Sequence, residues 1–154
     1  MGTIVTLRNE IEAIIDLMDD CQYLRANSYE ANIELDKTKI NSCIAIHIDQ
    51  STATASQSNQ NWNVKTIPTE ILFVYKNINL DDKLYNLDSI VDKAEDKADD
   101  FHDKLIQSAI ISDLEPWDDY QCQRLEAYKR FDSVLTGVLF TWNAPVPRSK
   151  YYCT

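Results

Sequence analysis

Leu87–Ile111 reads LDSIVDKAEDKADDFHDKLIQSAII, and the reading of this stretch decides the fold. Its apolar residues fall at Leu87, Ile90, Val91, Ala94, Ala98, Phe101, Leu105, Ala109 and Ile110. Steps of three and four draw one continuous stripe along a helix. Asp88 or Ser89 can cap its start, since a short side-chain oxygen accepts from a free N–H of the first turn. No Gly or Pro interrupts it. Asp92, Glu95, Asp96, Asp99, Asp100 and Asp103 fill most of the other face, among Lys93, Lys97 and Lys104. Propensity alone does not hold such a helix together; its stripe requires an apolar cover.

The rest of the chain reads as that cover. Thr3–Cys21 is expected to be a first helix, with Ile4, Leu7, Ile11, Ile14, Met18 and Cys21 on its stripe and Thr3 or Thr6 as its cap. In the segment from Gln22 to Lys39, Tyr29, Ala31, Ile33 and Leu35 alternate with polar residues, the pattern of a short edge strand. Ser42–Asp49 is a strand with Ile44, Ile46 and Ile48 on one face. Residues 50–61, QSTATASQSNQN, form a polar loop long enough to be functional or disordered. Trp62–Lys76 is the longest strand signal. Pro68 lies inside it and cannot donate to a ladder, which calls for an edge or a bulge there. Residues 42–76 together read as a hairpin with the loop at its tip. Residues 120–142 read as a second hairpin, from Tyr120–Arg130 and Val134–Trp142, and residues 143–154, with Pro145 and Pro147, as a tail. The expectation is a single domain over residues 1–154 of the α+β class. It is a two-layer sandwich, an antiparallel sheet of four to five strands with two helices on one face.

The totals exclude several classes. Gly2 and Gly137 are the only 2 glycines, so neither a dinucleotide-binding nor a P-loop glycine motif can be written. A formal net charge of -10 gives no counterion-release drive toward DNA, though negative charge lining a passage keeps DNA from adhering. Cys21, Cys43, Cys122 and Cys153 are too far apart for a zinc finger and read as buried or free thiols in a reducing cytosol. No apolar run reaches the roughly 20 residues that span a bilayer. The start, MGTIVTLRNE, lacks the regions of a signal peptide; Gly2 with Thr6 matches a myristoylation pattern only in part.

Few groups of residues carry chemistry. Glu95, Asp99 and His102 share a helical face and offer carboxylate and imidazole ligands to a divalent metal, the basis of an alternative reading as a small metal-dependent enzyme. A solvated acidic face explains them as well, and no Glu-x-x-His pair on the first helix completes a bridged site. His47 beside Asp49 lacks a nucleophile. Glu95-x-Lys97 and Asp81-x-Lys83 match half a nuclease motif but lie on a helix and in a linker. No catalytic residue, metal or cofactor is expected. The strand Tyr120–Arg130 has no strongly apolar face, and its side bearing Tyr120, Cys122, Arg124, Glu126, Tyr128 and Arg130 is read as a subunit interface. Aromatics such as Trp62, Tyr75, Phe140 and Trp142 suit either core or interface. An acidic adaptor for a basic protein is a further alternative.

The order of Thr3–Cys21, Ser42–Lys76, Leu87–Ile111 and Tyr120–Trp142, with its polar hairpin loop and acidic surface, resembles bacteriophage tail-terminator and head–tail joining (tail-completion) proteins. The resemblance spans residues 3 to 143 and is architectural, without a short motif. It implies a structural protein of the virion, made in the host cytoplasm, that closes a homo-oligomeric ring at the tail end or head–tail junction. Hexamers are the common form, each copy meeting its neighbour front to back. Its partners would be itself and adjacent head–tail or tail-tube proteins, with DNA as a passing cargo and no membrane. Ser51, Thr52, Thr54, Gln57, Asn59 and Trp62 would then form a loop ordered by the neighbouring ring.

Overall fold

The computed structural model describes residues 2–26, 42–48, 53–55, 64–76, 84–108, 119–128 and 135–147. Helix α1 is Thr3–Leu17 and buries Thr3, Leu7, Ile11, Ile14 and Ile15. Gly2 caps it without a side-chain bond; Thr6 contributes instead by donating its hydroxyl to the Gly2 carbonyl at 2.9 Å. The helix stops short of Cys21. Met18 turns extended, with its N–H on the Ile15 carbonyl, and Asp20 takes the left-handed region at φ 51°. Aspartate tolerates that region better than most residues. The chain reverses there, and Cys21 opens a strand.

The strands are β1 (Cys21–Ala26), β2 (Cys43–Ile48), β3 (Thr54–Ala55), β4 (Val64–Lys76), β5 (Gln121–Tyr128) and β6 (Leu135–Pro147). Their order across the sheet is β1-β2-β4-β6-β5, with β3 beside β4. The sheet is mixed, which corrects the expectation of a wholly antiparallel one. β1 runs parallel to β2, with Cys21 opposite Cys43 and Leu24 opposite Ile46, while every other pair is antiparallel. A tight turn cannot join parallel neighbours; they need a crossover of a dozen or more residues, and the chain between Ala26 and Cys43 has that length. The strand expected over Tyr29–Leu35 lies outside the described residues.

β4 and β6 are the spine. They stay paired from Val64 opposite Pro147 to Lys76 opposite Leu135. Beside them β2 pairs as far as His47 opposite Ile71, and β3 resumes the ladder at Thr54 opposite Thr66. Pro68 falls between those two stretches, and among the described residues no ladder partner on that side calls for its missing N–H. β6 also runs on through Pro145 and Pro147, which were expected in a tail. β5 reaches only Thr141, so beyond it β6 has an open side among the described residues, and a proline nitrogen turned that way breaks no ladder bond.

Alternation divides the sheet into two faces. Cys43, Ala45, Ile67, Ile71, Phe73, Val138, Phe140, Trp142, Ala144 and Val146 share one cluster with Leu7, Ile11, Ile14 and Ile15 of α1 and with Met18 just past its end. Val91, Ala94, Ala98, Phe101 and Leu105 join it from helix α2 (Leu84–Ile106). Both helices therefore contribute their buried stripes to the same side. The other face carries Leu24, Ile44, Ile46, Leu72, Val74 and Leu135, with no described helical residue among them. α2 begins before Leu87, and after Ile106 Ser108 donates its N–H back to Leu105; residues 109–111 lie outside the described ones.

Gly137 marks the tightest crossing of the spine. A Cβ there would sit 2.0 Å from the Phe73 carbonyl oxygen and 2.8 Å from Val74 Cα, both backbone atoms that cannot rotate away. Gly137→Ala is expected to cost about 2–3 kcal/mol, the upper range for overpacking. In urea unfolding it lowers the midpoint with the slope unchanged; a midpoint equal to that of wild type refutes the close approach.

Candidate functional site

β5 lies at one margin of the sheet and β1 at the other, and among the described residues neither has a partner on its outer side. Gln121 and Gln123 are exposed on β5. Its other side is engaged by α2. Tyr120, just ahead of β5, is half-buried and donates its hydroxyl to Asp99 at 2.7 Å. Cys122 packs against the helix-side core. Arg124 forms an exposed ion pair with Asp88. The surface read as a subunit interface is therefore, at Tyr120, Cys122 and Arg124, turned to this chain's own helix. A register shift falls between Leu125 and Tyr128, and the side chains of Glu126 and Tyr128 lie outside the described ones. Arg130 lies outside the described residues. What β5 leaves open is its backbone edge and the glutamines.

The helix face that suggested a metal site is organised around the same tyrosine. The His102 ring stacks on Tyr120 with centroids 4.1 Å apart and meets Trp142 edge-on at 4.9 Å. Asp99 is held by the Tyr120 hydroxyl and Glu95 is exposed. Among the described residues no three of His, Cys, Asp and Glu converge as a metal ion requires. The local electrostatics follow. The bond to Asp99, with burial and the negative charge nearby, pushes the Tyr120 hydroxyl up to about 12. Burial, with Asp99 and Glu95, pushes the Cys122 thiol up to about 11. Burial lowers His102 below its usual 6.5, against the pull of Asp103 and Asp99. These groups are kept neutral, which suits packing better than proton transfer.

His47 is buried on the helix side of β2, its Nδ1 2.9 Å from the Tyr23 hydroxyl of β1. Asp49, its expected companion, lies outside the described residues, as do Asp81 and Lys83. Of the loop residues, Thr54 is exposed on β3 opposite Thr66. Ser51, Thr52, Gln57, Asn59 and Trp62 lie outside the described residues.

A feature that sequence reasoning missed lies where β5 ends against the continuing β4–β6 pair. An open cleft of about 290 Å³ is lined by Pro68, Glu70, Asp119, Gln121, Thr141 and Asn143, with Thr69 and Trp142. It exists because β6 outruns β5, and no local pattern signals that. The exposed side of α2 carries Asp88, Asp92, Glu95, Asp96, Asp100 and Asp103, with Lys104 held on Asp100 at 2.8 Å. No helix among the described residues is long and apolar enough to cross a membrane.

The His102 environment sets a pH dependence. The unfolded chain takes up this proton more readily than the folded one, so stability declines as pH falls through about 6.5 and levels off below the folded value. The unfolding midpoint of His102→Gln is expected to fall less steeply than that of wild type from pH 8 to about pH 5. Parallel slopes would contradict the assignment. No family model matches the chain, and neither a curated protein nor a solved structure does.

Proposed function

We propose that this chain is a structural assembly protein of a bacteriophage virion, of the tail-terminator or head–tail joining kind. In this reading it closes a homo-oligomeric ring and has no catalytic role. The observation that carries it is the sheet itself: among the described residues both margins, β1 and β5, are open on their outer sides. An open edge pairs with another chain unless it is blunted, and a closed ring consumes every edge it contains.

Two further features support it. The β4–β6 pair extends from Ile71 and Thr141 out to Val64 and Pro147, beyond both neighbouring strands except for the short β3. That makes an arm suited to reach an adjacent ring, with the polar cleft at its base. The exposed acids of α2 form a negative strip that repels passing DNA if it faces the lumen.

The test is light scattering with negative-stain electron microscopy on the purified chain over a range of concentrations, and on particles that carry it. Closed rings in solution, or the chain located at the tail end or head–tail junction, are the expected results. A strict monomer that is also absent from particles overturns the proposal. Gln123→Lys, at an exposed edge position, is expected to weaken self-association at least about tenfold while leaving the melting temperature within a degree or so. Association of undiminished strength would remove β5 from the interface.

A further inference from the structure

We propose that Cys21 and Cys43 form a peroxide-reactive thiol pair, in which Cys21 is the attacking sulfur and Cys43 resolves it into a disulfide. The pair stands on the parallel ladder that the sequence alone did not disclose. Cys21 and Cys43 are direct register partners at the start of β1 and β2. Neighbouring strands lie about 4.8 Å apart, inside the Cα separation of about 4.4–6.8 Å that a disulfide spans. Both side chains point to the helix face, against the same cluster, so their Cβ directions agree. The two thiols therefore sit side by side at the edge of the helix-side core, and the charge state of each depends on the other.

Their surroundings assign different roles. Cys43 is fully buried at 0% exposure, whereas Cys21 is half-buried at the corner where α1 gives way to β1. Lys97 of α2 reaches that corner and donates its ammonium to the Asp19 carbonyl. The neighbouring Cys43 thiol lowers Cys21 below the usual thiol value, with help from Lys97 and the backbone at Gln22. The Cys21 thiol beside it and burial raise Cys43. Tyr75 of β4 packs against the same cluster, and its hydroxyl is raised by burial and by the two thiols. A partly exposed thiol of lowered pKa beside a second, protonated one is the arrangement that peroxide-sensing cysteines use.

The chemistry balances with a hydroperoxide as oxidant. The Cys21 thiolate attacks one oxygen of hydrogen peroxide; the O–O bond breaks, Cys21 becomes a sulfenic acid, and the departing hydroxide takes a proton to leave as water. The Cys43 sulfur then attacks the Cys21 sulfur, the S–O bond breaks, and the hydroxyl leaves as a second water with the Cys43 proton. Two thiols lose two electrons, and the peroxide gains them. Cys122, half-buried and held protonated, serves as an internal control. The inference does not depend on the assembly role proposed above.

The experiment treats the full chain with one equivalent of hydrogen peroxide near neutral pH, then blocks remaining thiols and maps peptides by mass spectrometry. A peptide linking Cys21 to Cys43 is expected, reversed by a dithiol reductant, with Cys122 still free. In the untreated chain Cys21 should alkylate at least about tenfold faster than Cys122. Cys43→Ala should stall at a Cys21 sulfenic acid that dimedone traps, and Cys43→Ser repeats that readout if the alanine variant folds poorly. Absence of the linked peptide, oxidation of Cys122 as fast as Cys21, or no dimedone adduct on Cys21 in a folded Cys43 variant would each overturn the proposal.

Discussion

Phe101 ties the two layers together. It lies fully buried on α2, with its ring centroid 5.6 Å from that of Phe73 on β4 and 5.5 Å from that of Phe140 on β6. Phe73 and Phe140 themselves meet edge-on at 6.2 Å. Each ring removed from water contributes about 1.5–3 kcal/mol, and each well-oriented aromatic pair about 0.5–1.5 kcal/mol beyond its area. The three rings join the acidic helix to the two longest strands at the centre of the sheet. Without that contact the α2 stripe has no cover and the charged face has no reason to be helical.

The docking fixes what is left over. α1 lies beside α2 on the same side, so the buried helical residues all belong to one cluster. The aromatic cluster continues outward through His102 to Tyr120, which pins the start of β5 beneath the helix. At the opposite margin the parallel pair of β1 and β2 sets Cys21 and Cys43 under the same layer, with Tyr75 of β4 against the same cluster. The edges themselves receive no such cover among the described residues. A sheet whose helices clamp its middle and whose margins, among the described residues, keep unpaired backbone is suited to meeting other chains along those margins.

The helical stripes were legible because burial repeats locally: Leu7, Ile11, Ile14, Val91, Ala94, Ala98, Phe101 and Leu105 all lie where the period placed them. The spine strands were legible for the same reason. Strand direction was not, since a period of two tells which face a residue occupies and nothing about which way its neighbour runs. The first helix was read through to Cys21 because the spacing continued; the left-handed Asp20 that ends it leaves no mark on hydrophobic period. The side of β5 bearing Tyr120, Cys122 and Arg124 looked unclaimed because it is polar. Asp99, which holds Tyr120, lies on the face the sequence reads as solvated, and Asp88, which holds Arg124, reads as a helix cap; pairing of polar groups far apart in the chain has no local signal. The cleft and the cysteine pair depend on register in the same way.

The proposed assembly runs through the sheet margins, β1 and β5. Amide hydrogen exchange, measured on dispersed and on associated samples, tests it most directly. Association is expected to slow exchange at the outer amides of β5 and β1, while the β4–β6 spine, protected in both states, is unchanged. Association with unaltered exchange at both margins, and new protection confined to the exposed face of α2, would contradict it.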